Sequence, residues 1–175
     1  MKIKELFARL KKSKQWKETF KEEKRIFFCA AFVILNFKQN IFEYSLDFRN
    51  DKDLLTFKFP KEENQDLIVV KDKLLENPKP LDEIKETLLS QIKIDIEDLK
   101  EIVEKNLLEN KVGKNLDEII AVLQYYEGNF VWNLTCICEG FTIVSIHLDP
   151  LSKKIVKFEK RNLMDFVNIK KVDKK

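Results

Sequence analysis

Alternation of apolar and mostly polar residues recurs in two separate parts of the chain and restricts its fold more than any other feature. Every second residue is apolar from Phe42 to Phe48 and from Leu55 to Phe59, and again from Phe130 to Cys138. Such alternation is typical of half-buried antiparallel strands. Turn-forming residues follow these segments, for example Glu139 and Gly140. The sequence therefore predicts antiparallel hairpins near both ends of the chain.

A run of twelve uncharged residues, Ile26 to Phe37, precedes the first hairpin. Its β-branched and aromatic residues predict a buried central strand, although periodicity alone leaves a buried helix open. A short apolar run from Leu67 to Val70 predicts one further strand in an otherwise polar connector. After Glu139-Gly140 the chain returns as a strand to Leu148, turns at 149–153, and continues from Lys154 to Glu159. These last strands predict a three-stranded C-terminal meander.

Helical spacing of apolar residues appears before and between these strands. Residues 2–22 predict an amphipathic helix that breaks near Ser13. Three further helices are predicted from capping and stop signals. The first begins at Pro80 and carries Leu81, Ile84, Leu88 and Leu89; the second is capped by Asp95 and buries Ile96, Leu99, Ile102, Val103 and Leu107, with Gly113 beyond its end; the third is capped by Asn115 with Glu118, runs through Ile119, Ile120 and Leu123, and stops at Gly128.

These elements predict an α+β fold in which helices pack on antiparallel β-meanders. We divide the chain into an N-terminal helix-plus-meander unit at 1–60, a connector at 61–80, and a helices-plus-meander unit at 81–175. The two units form either one compact domain or two units in tandem. From Arg161 the tail is either a short helix around Leu163 to Val167 or an edge segment.

The two ends also resemble one another. Tyr44 to Phe48 lies one hundred residues before Val144 to Leu148, and Leu55 matches Ile155 at the same offset. A true internal repeat would produce this match, but so would any two unrelated helix-plus-meander units.

Charge is distributed unevenly along the chain. Residues 1–25 hold ten Lys and Arg against four Glu, and residues 151–175 hold nine against three acidic residues, so each end carries +6. Because the total is +3, the middle carries 3 − 12 = −9. Basic ends of this kind predict contact with an anionic partner, either nucleic acid or a membrane surface. The residues we assign to that contact, or to a protein partner, are Lys4, Arg9, Lys11, Lys12, Lys14, Lys17, Lys153, Lys154, Lys157, Lys160 and Arg161.

Three cysteines, Cys29, Cys136 and Cys138, are too few and odd in number for a disulfide scaffold, so we expect reduced thiols. The first residues lack the apolar stretch of a secretory signal, and the longest uncharged run falls short of the roughly 20 residues that span a bilayer. Together these features predict a cytoplasmic protein without a transmembrane segment.

Few residues are suited to catalysis. His147 is the only histidine, and we expect it on the outer face of its strand. No Gly-x-Ser-x-Gly motif is present, and three glycines cannot build a phosphate-binding loop. Cys136 and Cys138, one residue apart, do not supply the four ligands of a zinc site. Acidic pairs such as Asp95 and Glu97 suit helix capping. We therefore predict no enzyme, no cofactor and no metal, with a hydrolase based on His147 as the alternative.

A family resemblance rests on Trp132-Asn133-Leu134, on the strand Val144 to Leu148, on the turn Asp149 to Ile155 and on the segment 94–99. With these features the C-terminal half resembles PepSY-type domains, which are small cystatin-like α+β units, and 94–99 is similar to the family's helix start. The resemblance covers roughly residues 94–160, and Lys153 stands where the family's turn usually has glycine. The resemblance implies a non-catalytic binding module, sometimes linked to peptidase inhibition. Our first expectation is therefore a protein-binding module, and our second is a polyanion-binding protein.

Overall fold

The fold is α+β and contains one eight-stranded antiparallel sheet, in the order β4-β3-β2-β1-β5-β6-β7-β8. The computed structural model describes residues 1–22, 25–62, 64–74, 82–140 and 142–162. The eight-stranded antiparallel sheet and the helices confirm the predicted α+β fold class. The strands are β1 Phe27–Asn36, β2 Ile41–Arg49, β3 Asp53–Phe59, β4 Ile68–Lys73, β5 Leu116–Tyr126, β6 Asn129–Cys138, β7 Thr142–Leu148 and β8 Ile155–Asn162; the helices are α1 Ile3–Lys12, α2 Lys14–Glu22, α3 Glu86–Leu89 and α4 Leu99–Glu109, the last preceded by a 3₁₀ turn at Ile96–Asp98.

Two four-stranded meanders, β1–β4 and β5–β8, meet at the centre of this sheet, where β1 pairs antiparallel with β5. The uncharged run at 26–37 is therefore a strand, and it is central as predicted. The sequence match at an offset of one hundred residues does not align the two meanders strand by strand, so it is wrong as their alignment. It matches β2 with β7, which are the second strand of one meander and the third strand of the other.

All described helices contribute to one hydrophobic core against one face of the sheet. Ile3, Leu6, Phe7 and Leu10 of α1 are buried, and the ring of Phe7 meets Phe28 of β1 edge to face at 4.7 Å between centroids. Trp16 of α2 packs against Phe48 and Phe57 of the N-terminal meander at 4.8 and 5.6 Å. The predicted break at Ser13 is confirmed, because α1 ends at Lys12 and α2 begins at Lys14.

The C-terminal meander is tied to α4 by the segment before that helix. Trp132 is fully buried, and its Nε1–H donates a hydrogen bond of 2.9 Å to the carbonyl oxygen of Ile94. Asp95 caps the 3₁₀ turn as predicted, since its Oδ1 accepts from the backbone N–H of Ile96 at 2.8 Å. The same oxygen accepts from the N–H of Ile3 in α1 at 2.9 Å. This carboxylate therefore joins the helices of the two halves of the chain.

The predicted third helix at 115–127 is wrong, because these residues form β5. Asn115 and Glu118 do not cap a helix. Asn115 donates a side-chain hydrogen bond to Glu139, and Glu118 accepts one from Asn36 of the neighbouring strand. Glu127 and Gly128 both have positive φ, 50° and 78°, as a two-residue type I′ hairpin turn requires. The C-terminal meander consequently has four strands instead of the three predicted.

The helix predicted from Pro80 is also shorter than expected. In the described part of the chain it covers only Glu86–Leu89. Lys85 before it is extended, and the N–H of Ile84 donates to the carbonyl of Phe28 at 2.8 Å. Pro80 and Leu81 lie outside the described residues, as does the predicted tail segment at 163–167.

The β7–β8 turn takes a conformation that normally favours glycine. Lys153 has φ of 65°, in the left-handed region, and its N–H donates to the carbonyl of Asp149 at 3.1 Å. The carboxylate of Asp149 accepts from the N–H groups of Leu151 and Ser152. A non-glycine residue at such a φ costs roughly 1 kcal/mol, so this turn carries backbone strain at Lys153.

Candidate functional site

Among the described residues, no element covers the face of the sheet opposite the helices, and this open face is the most extensive candidate surface. Residues directly opposite each other in neighbouring strands share a face, so the strand register identifies its members. One row crosses the whole open face with one residue from each strand. From β4 to β8 this row is Ile68, Lys58, Ser45, Phe32, Val122, Asn133, His147 and Lys157.

The centre of the open face is apolar. Phe32 and Ile34 of β1 lie opposite Val122 and Ile120 of β5, and all four are half-buried, whereas their inward-facing neighbours are fully buried. Antiparallel sheets with one solvated face usually alternate apolar inward and polar outward residues. The two central strands depart from that rule. Such a patch on a soluble surface is typical of a contact site.

Polar and charged residues surround this apolar centre. Glu43 and Lys58 lie on its β2–β3 side, and Glu159 and Arg161 lie on its β8 side. Glu159 forms ion pairs with Lys157 and Arg161 at 3.0 and 3.1 Å. An apolar centre with a polar rim is the usual anatomy of a protein–protein interface.

The open face continues into a groove of about 460 Å³ at the ends of β1, β2 and β3. Phe32 and Ile34 form its apolar wall, while Lys58 and Lys61 line it with cationic groups.

Asp47 lies further along β2, between Ala30 and Thr56. Burial raises the pKa of its carboxyl, against a lowering contribution from the hydrogen bond with Thr56. Within the described residues, Oδ1 of Asp47 has no hydrogen-bond partner.

His147 lies on the open face, as the sequence predicted. Its ring contacts Tyr126 edge to face, with 5.1 Å between centroids. Burial, and then the positive charge of Lys157, lower the pKa of the imidazole below its ordinary value. The side chain is therefore neutral at pH 7.

The three cysteines are free thiols and are buried, as the sequence predicted. Cys136 and Cys138 point into the core beside Trp132 and Leu134, on the face opposite His147. Burial raises the pKa of Cys29 to about 12 and also raises the pKa of Cys136. Cys136 and Cys138 are unsuited to act as nucleophiles with His147, because burial keeps their thiols protonated and they lie on the opposite face.

The basic residues predicted to contact a polyanion fall into two separate groups. Lys4, Arg9, Lys11 and Lys12 lie on α1, and Lys14 and Lys17 lie on α2, which packs against β2 and β3. Lys157, Lys160 and Arg161 lie on β8, and Lys153 and Lys154 lie in the turn before it. Because β8 is five strands from β2, roughly 24 Å separate the β8 group from the strand beneath α2. Within the described residues, the cations of α2 and those of β8 therefore do not form one surface.

Several of these cations already have partners. The guanidinium of Arg9 lies over the ring of Phe59 and donates to the carbonyl of Glu62 at 3.1 Å. Lys11 pairs with Glu86 at 2.5 Å, and Lys14 pairs with Glu18 at 3.6 Å. Lys153 lines a groove of about 450 Å³ between α4 and β8, together with Ile102, Ile155 and acidic residues of α4.

Two further features bear on binding. Across the described ranges, no cluster of three or more His, Cys, Asp or Glu side chains is arranged to hold a metal ion. None of the helices described is both long enough and apolar enough to cross a bilayer.

The apolar centre of the open face was not predicted. The sequence signal for it lies in residues 26–37, which are apolar at both odd and even positions. Because the described helices cover only one face of the sheet, the other set of these residues forms part of the open face.

No protein-family model matches this chain, and no curated protein matches it. Among solved structures it is similar to the crystal structure of a protein described as a "putative lipoprotein" from Clostridium difficile 630. The TM-score is 0.55, the sequence identity is 14%, and the similarity covers 83% of this chain and 89% of that chain. At this identity the similarity establishes a common fold alone.

Proposed function

We propose that this protein is a non-catalytic protein-binding module whose binding surface is the open face of the sheet. The observation that carries the proposal is the apolar centre formed by Phe32, Ile34, Ile120 and Val122, with charged residues around it. Burial of this centre against a partner would remove apolar surface from water, which is the main driving force of protein association.

The size of the open face also supports this role. Eight strands spaced about 4.8 Å apart give a width of roughly 34 Å, and the outward residues from Ala30 to Asn36 span roughly 20 Å along β1. These dimensions approach the roughly 800 Å² that each partner contributes to a standard interface. The face suits the surface of a folded protein better than a small ligand.

We further propose that the chain consists of two PepSY-like, cystatin-like units in tandem, each with helices followed by a four-stranded meander. The symmetric strand order around the β1–β5 pair supports this division. The resemblance of residues 94–160 to PepSY-type domains supports it for the second unit, and it makes peptidase regulation the more specific form of the proposed function. Because β1 and β5 both contribute to the apolar centre, both units are needed for binding.

The surroundings of His147 support a binding role over hydrolysis. Its neutral imidazole contacts Tyr126, and the buried thiols of Cys136 and Cys138 point to the other face of the sheet. A hydrolase would need a nucleophile and an orienting carboxylate around this histidine. Reduced thiols also support the proposed cytoplasmic location.

The test compares the same substitution on the two sides of the molecule. Val122→Lys introduces a charge at the centre of the open face, and Leu108→Lys introduces the same charge at an 80% exposed position of α4. Proteins that bind the immobilised wild-type chain are identified, and their affinities for both variants are measured. Val122→Lys should weaken binding by more than tenfold, as expected for a central interface residue, while Leu108→Lys should change it less than twofold.

Circular dichroism and the urea midpoint establish that both variants are folded. Equal affinity of a specific partner for wild type and for folded Val122→Lys would contradict the proposal. Loss of binding in Leu108→Lys, with Val122→Lys unaffected, would move the binding surface to the helical side.

A further inference from the structure

The outer surface of α1 and α2 carries six exposed lysines, which we call the lysine surface. The two helices contain 10 and 9 residues, so they are roughly 15 and 14 Å long. The described acidic side chains beside these lysines are Glu5 and Glu18 of the helices and Glu86, which pairs with Lys11. Phe20, 48% exposed, lies at the edge of the surface. The lysine surface consists of Lys4, Lys11, Lys12, Lys14, Lys17 and Lys21.

The apolar side of α1 is already used in the core. Ile3, Leu6 and Leu10 are at most 1% exposed, so this helix cannot insert its apolar face into a bilayer without unfolding the protein. Any contact made by the lysine surface is therefore peripheral and electrostatic.

On two other surfaces of the described chain, cations pair with neighbouring carboxylates. Lysines of α4 pair with glutamates one turn away, Lys100 with Glu104 at 3.8 Å and Lys105 with Glu109 at 3.9 Å. On β8, Glu159 lies between Lys157 and Arg161 and pairs with both. In the described residues of α1 and α2, by contrast, no ion pair engages Lys4, Lys12 or Lys17.

We propose that the lysine surface docks on an anionic membrane surface. Its exposed cations are all lysines, because the guanidinium of Arg9 is held by Phe59 and Glu62. Lysines are flexible, strongly hydrated point charges that suit the diffuse charge of lipid headgroups, whereas phosphate and base recognition in nucleic acids favours the arginine fork. The helices present an exposed aromatic ring at the edge of this surface, and aromatic side chains are favoured at membrane–water interfaces.

Docking through the lysine surface leaves the other side of the protein free. The helices cover one face of the sheet, and the apolar centre with Phe32 and Val122 lies on the other. A membrane-bound molecule would therefore present its open face to the solvent. The cytoplasmic leaflet carries anionic lipids, so the proposal is consistent with the proposed location. It is independent of the open-face function, since the two surfaces share no residue.

The experiment measures partitioning onto vesicles of phosphatidylcholine alone and onto vesicles with about one-third phosphatidylserine. The wild-type chain should bind the anionic vesicles and release them when salt shortens the Debye length. Each cation near such a surface strengthens binding roughly fivefold, so the triple variant Lys4→Gln, Lys12→Gln, Lys17→Gln should bind about a hundredfold more weakly.

Two controls separate this surface from net charge and from folding. The variant Lys154→Gln, Lys157→Gln, Lys160→Gln loses the same charge on the β8 side and should bind within about threefold of wild type. The variant Lys4→Arg, Lys12→Arg, Lys17→Arg keeps the charge and should retain vesicle binding. Urea midpoints establish that all variants are folded.

Three results would overturn the proposal. The first is absence of binding to anionic vesicles at low salt. The second is an equal loss of vesicle binding in the β8 variant. The third is binding to duplex DNA that exceeds vesicle binding at the same salt and is lost in the helix variant, since this would identify the partner as nucleic acid.

Discussion

Trp132→Phe should strongly destabilise the protein, because Trp132 joins the C-terminal meander to the start of α4. The side chain is fully buried, and its Nε1–H is hydrogen-bonded to the carbonyl of Ile94 at 2.9 Å. Phenylalanine leaves this buried carbonyl without its donor, at a cost of about 1–3 kcal/mol. The smaller ring also leaves a cavity that costs about 1 kcal/mol more. We expect a loss of about 2–4 kcal/mol in the free energy of unfolding.

Trp16→Phe is the matched control. Trp16 is half-buried and stabilises α2 through ring contacts with Phe20, Phe48 and Phe57. Phenylalanine preserves most of these contacts, so the loss should stay below about 1 kcal/mol.

Equilibrium urea unfolding, followed by circular dichroism and by the fluorescence of the remaining tryptophan, measures both variants. For a chain of this length, the expected loss in Trp132→Phe lowers Tm by roughly 5–15 °C. Equal and small losses in the two variants would refute the reasoning, because they would mean that the indole of Trp132 does not hold the segment before α4 on the sheet.

Three further predictions concern the turn, the histidine and the thiols. Lys153→Gly should raise the free energy of unfolding by roughly 0.5–1 kcal/mol because it relieves the positive φ, whereas Lys154→Gly should not, as urea midpoints would reveal. The pKa of His147, followed by proton NMR, should lie below 6.5 and rise in Lys157→Ala. Because unfolding restores the higher pKa, the unfolded state binds the proton more tightly, and this histidine's contribution to stability is lost as the pH falls below 6.5. The three cysteines should react with a thiol reagent only at the rate of unfolding, and rapid labelling of the native protein would contradict their burial.

The sequence was sufficient to predict strands wherever apolar and polar residues alternate. In β6, the side chains of Trp132, Leu134 and Cys136 face the core and those of Asn133 and Thr135 face outward. The alternation therefore indicates both the strand and its buried side. The capping role of Asp95 was predictable for a similar reason, since it depends on residues within one turn.

The error at β5 shows where such reasoning fails. Ile119 to Leu123 is apolar throughout, because this strand lies between β1 and β6 and its outward residues belong to the apolar centre of the open face. Without alternation, the spacing of Asn115 and Glu118 favours a helix cap. The β-branched and aromatic residues of the segment and the Glu127–Gly128 pair favour a strand followed by a hairpin turn.

The candidate site was difficult to predict because it depends on which elements stay uncovered. Residues 26–37 are apolar on both faces, which alone indicates burial on both. Only the three-dimensional arrangement reveals that the helices all pack on one side and that Phe32 and Ile34 are left half-exposed. Similarly, total charge could not reveal that β8 and α2 lie on opposite halves of the sheet.

The most direct test of the open-face proposal uses His147, the only histidine in the chain and one member of the row that crosses this face. Its neutral imidazole reacts with diethyl pyrocarbonate, and mass spectrometry measures the modification rate at this one site. In complex with a partner bound by the wild-type chain, the modification rate of His147 should fall at least about tenfold, as expected for a residue enclosed by an interface. An unchanged modification rate of His147 in the saturated complex would contradict it.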